Sequence, residues 1–535
     1  MTTVINTNVP AIIAKSNMDR VQRELESSIN KLSSGSRINK AADDAAGMAV
    51  ANRMESQIRG LTMAIRHGKD GQNLVDTADG AQIEISNMLQ RLRELAVQAA
   101  SDTLDTNNRT FLNAEATALK AEINRISEQT TWNNLNLLDG TYTGKVFQVG
   151  FKGAETIDVS IDDAASDSIG AFNMHSIGHA AIQGATTSAT SITATTMSVS
   201  GYLGSAQVSI ATDTTGVNSS VKSLAADINA VKTSTGVEAT AITKAKLHSV
   251  TDSGVIKFSL AGNHTTNKAL TATATFYAVT ATLADQNDLD PLADAINKHA
   301  ANTGITAKLG DTAAELILTH QTGETIELRD IHVGGVTSKN LKLLALDKFG
   351  NDTGAADTTL NRATNTAQSE YTTTNTAANR HAYVLGTVTL TSIKNFTVAG
   401  DHATANSGYF GTENSMTGQT ASGGTAKLSS VASLSVADQE HASDAIAVLD
   451  AAIAKIDAQR ADLGAISNRL SSVVDNNTSM VTNTESSKSH ILDTDFAVET
   501  TKLTRTQILQ QAATSMLAQA NASKQSVLAL LQNLG

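Results

Sequence analysis

Two pairs of adjacent acids, two histidines four residues apart and a single tryptophan are the side chains here whose types and spacing could do chemistry. Asp43-Asp44 and Asp162-Asp163 are the kind of pair that can divide general acid and base work when their surroundings push the two pKa values apart. An exposed acidic turn or helix start is the ordinary explanation, and it outweighs catalysis here. His175 and His179 have the spacing that puts two metal ligands on one helix face, but Gly178 interrupts any helix that would align them. None of the 12 histidines falls in an H-E-x-x-H pattern, so a zinc hydrolase is not supported. Neither the G-x-S-x-G elbow nor the Walker A loop is present. With no cysteine, disulfides and thiolate-bound metals are excluded. Trp132 reads as a packing residue rather than a ligand platform. No catalytic, cofactor-binding or metal-ligating residue is assigned, and the chain reads as a protein that is not an enzyme.

The elements that would have to position such groups point to a structural role instead. A chain of 535 residues exceeds what one core supports, since cores stop growing near about 250–300 residues. Aromatic residues make up only 3% and there are 2 prolines, Pro10 and Pro291, so the core must rest on Ala, Val, Ile and Leu and contributes modestly per residue. The net charge of −12 and the lack of a basic cluster exclude nucleic acid, whose phosphates demand Lys and Arg. No apolar run reaches 18 residues, so no membrane insertion is expected. The opening MTTVINTNVPAIIAK has no charged region followed by an unbroken apolar one, so it does not read as a secretory signal, and any export of the chain would be without a cleaved signal peptide.

Met18, Val21, Leu25, Ile29 and Leu32 recur at the three-and-four spacing of one helix face. After the break at KLSSGS, the pattern resumes through Met48, Met54, Ile58, Leu61, Ile65, Leu74, Met88, Leu92 and Leu95. A continuous helix over Asp43–Ala100 would be roughly 85 Å long. It carries Gly47, Gly60, Gly68, Gly71 and Gly80, each costing about 1 kcal/mol relative to Ala, which packing must offset. A further helix is expected over Asn107–Glu128, capped within SDTLDT. Near the other end, Ile446, Leu449, Ile453, Ile456, Leu463, Leu470 and Val474 keep heptad spacing. That helix, about Asp438–Glu485, would be roughly 70 Å long. The comparable lengths predict an antiparallel pair.

The last segment, Ile491–Gly535, differs. From Thr506 onward Lys524 is the only charged residue, while Ile508, Leu509, Met516, Leu517, Val527, Leu528 and Leu531 spread over more than one face. A helix apolar around most of its circumference must be buried on several sides. Interleaved glutamines exclude a lipid-facing role, so copies of the same chain are the expected cover.

Between about Thr130 and Asp438 the sequence turns to Thr, Ser, Ala and Gly with period-two alternation. Strands are expected at Phe147–Phe151, Thr156–Ile161, Leu270–Val279 and Val388–Thr391, with Thr186–Ser200 a solvated strand or loop. Glu315–Thr319 and Thr325–Arg329, flanking Gly323, predict a hairpin. An internal repeat stands out. LAADIN at Leu224 followed by TGVEA at Thr235 matches LADAIN at Leu292 followed by TGITA at Thr303, and each copy predicts a helix, a glycine turn and a strand. The fold class is therefore α+β and multidomain: long terminal helices pair as a coiled coil or bundle, with β-rich outer domains inserted between them.

The segments KLSSGSRINKAADDAAGMAVANRM (31–54), QRLRELAVQAASDT (90–103), TRTQILQQAATSMLAQAN (504–521) and VLALL (527–531) closely resemble bacterial flagellin, over about residues 1–175 and 435–535. The helix-turn-strand repeat resembles a small motif of flagellin and hook-protein variable regions. The resemblance implies a homopolymeric, extracellular filament of the bacterial flagellum that drives swimming. It implies an inner tube of residues 1–42 with 491–535 and an outer tube with a β-hairpin, residues 43–177 with 435–490. Residues 178–434 would then be variable outer domains, with repeats at about 222–262 and 290–330. The implied partners are the flagellar export apparatus and an export chaperone, the filament cap, the hook-junction proteins and a flagellin-sensing Toll-like receptor, whose contacts carry over to Arg91, Leu95 and Glu115. Two departures from the family pattern concern the last helix: Phe496 stands where Tyr is common, and Ala522-Ser523-Lys524 replaces a stretch that often holds Pro, so the helix is expected to run unbroken. Alternatives are a hook-filament junction protein, or a filament-displayed adhesin or glycan carrier built on the middle region.

Overall fold

The computed structural model describes residues 7–176, 179–182, 196–209, 220–250, 253–262, 275–310, 312–333, 340–350, 358–361, 381–399 and 424–532. Helix α1 (Val9–Ser34) starts where the Asn8 side chain accepts from the Ala11 N–H with Pro10 in the first turn, and stops at Gly35, which takes the left-handed φ of 70° that ends helices readily. Helix α2 (Ala45–Ala99) is capped by Asp44, whose carboxylate accepts from the Gly47 N–H at 2.9 Å. Asp43 accepts from the Lys40 and Asn39 N–H groups, and these bonds, that from Lys40 foremost, hold its carboxyl below the usual range. Asp163 likewise closes a turn by accepting from the Ala165 N–H and the Ser168 hydroxyl. Asp43, Asp44 and Asp163 thus serve as helix-start and turn devices.

Helix α3 (Thr106–Gln129), capped by Asp105, leads into a small hairpin, β1 (Thr131–Trp132) and β2 (Leu135–Asn136). Its two-residue turn, Asn133-Asn134, has positive φ at both positions, the geometry that asparagine tolerates best after glycine. The chain continues through β3 (Lys145–Gln148), β4 (Thr156–Val159), β5 (Gly170–His175), β6 (His179–Ile182), β7 (Thr196–Ser200) and β8 (Ser205–Ser209). Next come α4 (Val221–Ala230), α5 (Lys232–Thr235), β9 (Glu238–His248), β10 (Gly254–Ala261) and β11 (Tyr277–Leu283). Then follow α6 (Asp290–Asn297), α7 (Ala300–Thr303), β12 (Ile305–Leu309), β13 (Leu316–His320), β14 (Ile326–Val333) and β15 (Asn340–Leu346). The last strands are β16 (Thr358–Asn361), β17 (His381–Leu385), β18 (Thr387–Ser392), β19 (Thr397–Ala399) and β20 (Lys427–Ser430), ahead of α8 (Gln439–Leu492) and α9 (Phe496–Gln532).

The chain divides into two compact units, residues 1–79 with 142–161 and 461–535, and residues 80–141 with 162–460. In the first unit α2 and α8 run antiparallel. Lys488 bonds Glu55 at 2.7 Å, and the backbone of Gly68 lies against Val474 and that of Gly71 against Leu470. The β3–β4 hairpin seals this pair: Phe151 sits over Gly60, Phe147 near Gly71, and the Asn477 amide donates to the Val149 carbonyl at 2.7 Å. Several of the helix glycines are thus sites of close approach, as the cost of keeping them required.

In the second unit, Gln82 donates to Gln459 inside the seam between the same two helices, and Arg93 reaches Asp450. The middle holds an eight-stranded sheet with the path β12-β13-β9-β18-β5-β20 and β15 and β16 branching from β9, a five-stranded sheet β11-β10-β14-β17-β6 and a three-stranded sheet β19-β7-β8. One apolar core joins strands of the two larger sheets with α6, through Leu247, Phe258, Val279, Leu292, Leu318 and Leu328. A second core sits under α4, through Met197, Val208, Leu224, Ile228 and Leu390.

Two expectations for the middle are corrected. The segments around Gly323 are strands, β13 and β14, but they do not pair: β13 lies between β12 and β9, and β14 between β10 and β17 in another sheet. The connecting turn is pinned elsewhere. Lys222 donates its N–H to the Gly323 carbonyl and its ammonium to buried Glu324, and Gly323 presses on Ala241, so the chain crosses between sheets. The expected Leu270–Val279 strand begins only at Tyr277 and runs on to Leu283, its residues 270–274 lying outside the described ones. Of Thr186–Ser200, the described part is β7. His175 and His179 sit on strands of two different sheets, not on a helix, and the His179 side chain lies outside the described ones.

Candidate assembly surface on the terminal helices

The first unit ends in a second antiparallel pair, α1 with α9. The Asn8 amide donates to the Ala520 carbonyl at one end. At the other, the Thr494 N–H donates to the Gly35 carbonyl, while Arg37 donates its N–H to the Leu492 carbonyl and its guanidinium to that of Ile491, at 2.7 Å. The α1–α2 connection and the α8–α9 junction are thereby held together, and Ile38 is buried beneath them.

This pair buries little of what it carries. Val21 is buried, and Met18, Leu25, Leu32 and Leu517 are half-buried along the seam. Ile29, Ile508, Leu509 and Met516 face outward, as do Val9, Ile12, Ile13, Phe496 and Val498, each 44 to 66% exposed. Val527, Leu528 and Leu531 lie on α9 in a stretch whose side chains are outside the described ones. Among the described residues, the apolar positions read from the sequence thus divide into a seam between α1 and α9 and a surface on both helices that no described residue covers. Fully burying one such side chain stabilises by roughly 1.5–3 kcal/mol. Sequence reasoning missed the outward residues at the start of α1, although Asn8 followed by Pro10 is the sign of a helix starting there. A shallow groove on α9, lined by Thr501, Thr504, Arg505, Ile508 and Leu509, belongs to the same surface.

The seam is also imperfect. The Ser28 and Thr494 hydroxyls are buried with no hydrogen-bond partner among the described residues. Each buried polar group left unpaired costs about 1–3 kcal/mol. Exposed apolar surface and unpaired polar groups together mark this helix pair as weakly held on its own.

In the second unit, Arg91 bonds Glu94 at 2.9 Å and Glu115 at 2.8 Å, all three side chains substantially exposed. Screened surface pairs of this kind contribute little to stability. Leu95 lies beneath them with no exposed surface. Of the three positions carried over as receptor contacts, only Arg91 and Glu115 are presented at the surface of the subunit. Among the described residues no group of three or more metal-ligating side chains gathers, and no helix is long and apolar enough to cross a membrane.

Residues 5–143 match the model of the bacterial flagellin N-terminal helical region, residues 446–531 that of the C-terminal helical region, and residues 257–321 that of the flagellin hook IN motif. The B-type flagellin of Pseudomonas aeruginosa is 34% identical over 99% of this chain and 100% of its own length. The phase 2 flagellin of Salmonella typhimurium is 36% identical, again over 99% of this chain and 100% of its own. Among solved structures, that of FliC from Burkholderia pseudomallei aligns with 75% of this chain and 99% of its own at 16% identity, with a TM-score of 0.27.

Proposed function

This chain belongs to the bacterial flagellin family and is a structural subunit of the extracellular flagellar filament, and we propose that it polymerises by covering the outward faces of α1 and α9 with the same helices of neighbouring copies. The observation that carries this reading is the row of large apolar side chains standing exposed on both terminal helices. Relatives matched end to end are flagellins, which favours the bulk filament subunit over a hook-junction protein.

On this reading residues 1–42 with 491–535 form the inner tube, residues 43–177 with 435–490 the outer tube, and residues 178–434 project outward. Breaks at residues 35–44 and 493–495 fit those boundaries. The weak α1–α9 seam supports coupling of folding to assembly: the chain travels unfolded through the export apparatus with a chaperone, and its ends order beneath the cap at the growing tip. Hook-junction proteins seed the first turn.

Seeded growth followed by electron microscopy tests this, comparing the full chain with one lacking residues 506–535. Only the full chain should extend seeds into tubes, and equal growth by both would overturn the reading. For the Toll-like receptor, Arg91 and Glu115 are the proposed contacts, with Leu95 supporting them from below. Arg91→Ala should weaken receptor signalling, and an unchanged response would remove the assignment.

A further inference from the structure

A buried lysine in the middle of a sheet needs an explanation, because lysine is almost never fully buried unless paired. Lys244 is such a residue: it lies on β9, in the interior of the eight-stranded sheet, and its side chain is only 6% exposed. Its ammonium reaches the carboxylate of Glu440, in the first turn of α8, at 2.5 Å. One turn on, Asp444 bonds Lys348, which follows β15 and is 18% exposed, at 2.9 Å. Between these pairs the Phe349 ring stacks on His441 of α8, 5.2 Å between centroids and 17° from parallel. The same ring meets His175 of β5 edge-on, and His175 is bonded to Thr389 of β18. Further along, Val448 and Ala451 of α8 pack on Ala171 of β5.

Glu440, Asp444, Val448 and Ala451 recur at the spacing of one helix face. That face therefore meets the sheet over its first three turns, charge at its start and apolar contact beyond. Acidic side chains already suit a helix start, but here lysines from the sheet are brought out of water to meet them. The acids themselves stay partly in water, Glu440 49% and Asp444 31% exposed, so the cost falls on one side: removing either acid leaves a lysine charge unpaired where little water reaches it.

We propose that this cluster is a clasp that holds the eight-stranded sheet rigidly on the first turns of α8, so that the middle of the chain is carried as a stiff arm rather than swinging on its connecting strands. The clasp uses none of the residues proposed for polymerisation.

The absence of cysteine makes the test clean. Spin labels introduced at Asp457→Cys on α8 and Lys308→Cys on β12, both exposed positions, report the distance between helix and sheet by double electron-electron resonance. The labelled full-length chain should give one narrow distribution. Asp444→Lys with Phe349→Ala should widen it at least twofold, and Phe349→Ala alone, which leaves every charge in place, should widen it less. The charge swap Asp444→Lys with Lys348→Asp should restore most of the narrow width. Widths unchanged in both Phe349 variants would overturn the clasp, and so would a swap as wide as Asp444→Lys alone.

Discussion

The five glycines inside α2 give a test in which one helix supplies both the perturbation and its control. A β-carbon added at Gly80 would meet nothing within 4 Å, whereas at Gly60 it would lie 2.9 Å from the Phe151 β-carbon and 3.5 Å from its α-carbon. Alanine is favoured over glycine in a helix interior by about 1 kcal/mol, and both substitutions gain that amount. At Gly60 the gain is opposed by overpacking against the base of a side chain and its backbone, which cannot swing aside as a flexible tip would. Such overpacking costs about 1–3 kcal/mol. The shared propensity gain cancels in the comparison, so Gly60→Ala should be worse than Gly80→Ala by about 1–3 kcal/mol relative to their parent segments. Since 1 kcal/mol is a factor of about five in an opening equilibrium, native-state hydrogen exchange reads the difference directly. Amides around residue 80 should exchange about fivefold more slowly in Gly80→Ala, and those around residue 60 no more slowly, or faster, in Gly60→Ala. Equal gains in protection at both sites would refute the claim that the β3–β4 hairpin makes glycine necessary at position 60.

Other expectations concern the middle. Asn297→Ala removes both bonds that its carboxamide makes with Ala307, one to the carbonyl and one from the N–H, so a loss of about 1–3 kcal/mol is expected in urea unfolding. Asn229→Ala, which loses the same two bonds to Ala239, should cost a similar amount, and a cost near zero at both would show that the bracket does not hold the turn. Tyr383 is buried, and burial raises the pKa of its phenol. The folded state therefore keeps this proton where the unfolded chain loses it. The stabilisation is present below about pH 10 and falls as the pH rises further, by at most about 1.4 kcal/mol per unit. Tyr383→Phe should flatten that alkaline slope in unfolding experiments, and an unaltered slope would assign it to other groups.

The helical ends were legible because their signals are local and periodic. The apolar rows at Met18–Leu32 and Ile446–Val474 specify faces, and the Asp and Thr residues of SDTLDT mark the start of α3, so expected and observed helix limits differ by only a few residues outside α1, whose start at Asn8 was missed, and the end of α8. What the rows could not say is which apolar residues the chain covers for itself. Val21 and Ile29 belong to one periodic row, yet one is buried and the other 48% exposed. The difference depends on the crossing of α1 with α9, a property of two segments distant in sequence. The hairpin expected around Gly323 failed for a related reason: turn chemistry identifies a reversal, but the strands on either side were claimed by partners from elsewhere, β9 and β12 on one side and β10 and β17 on the other.

The duplication in the middle shows how a structural constraint can hide from sequence comparison. Each copy of the helix-turn-strand motif ends its turn with a glycine of near-identical φ, 73° at Gly236 and 72° at Gly304. In each, a threonine hydroxyl accepts from the N–H two residues on, Val237 or Ile305. These shared residues are what made the repeat visible. The structure extends the repeat backward to a preceding hairpin, β7–β8 in one copy and β10–β11 in the other, where no resemblance is apparent in the letters. The tie is a second glycine. A β-carbon at Gly201 would lie 2.0 Å from the Thr235 carbonyl oxygen, and one at Gly262 2.3 Å from that of Thr303. Both glycines follow the first strand of their hairpin and press the chain onto the same point of the turn. The contact of each hairpin with its turn is therefore specified by a missing side chain on one partner and a backbone carbonyl on the other, while its inward side chains, Met197 and Val208 in one copy and Phe258 and Val279 in the other, answer only to the core and are free to differ between copies.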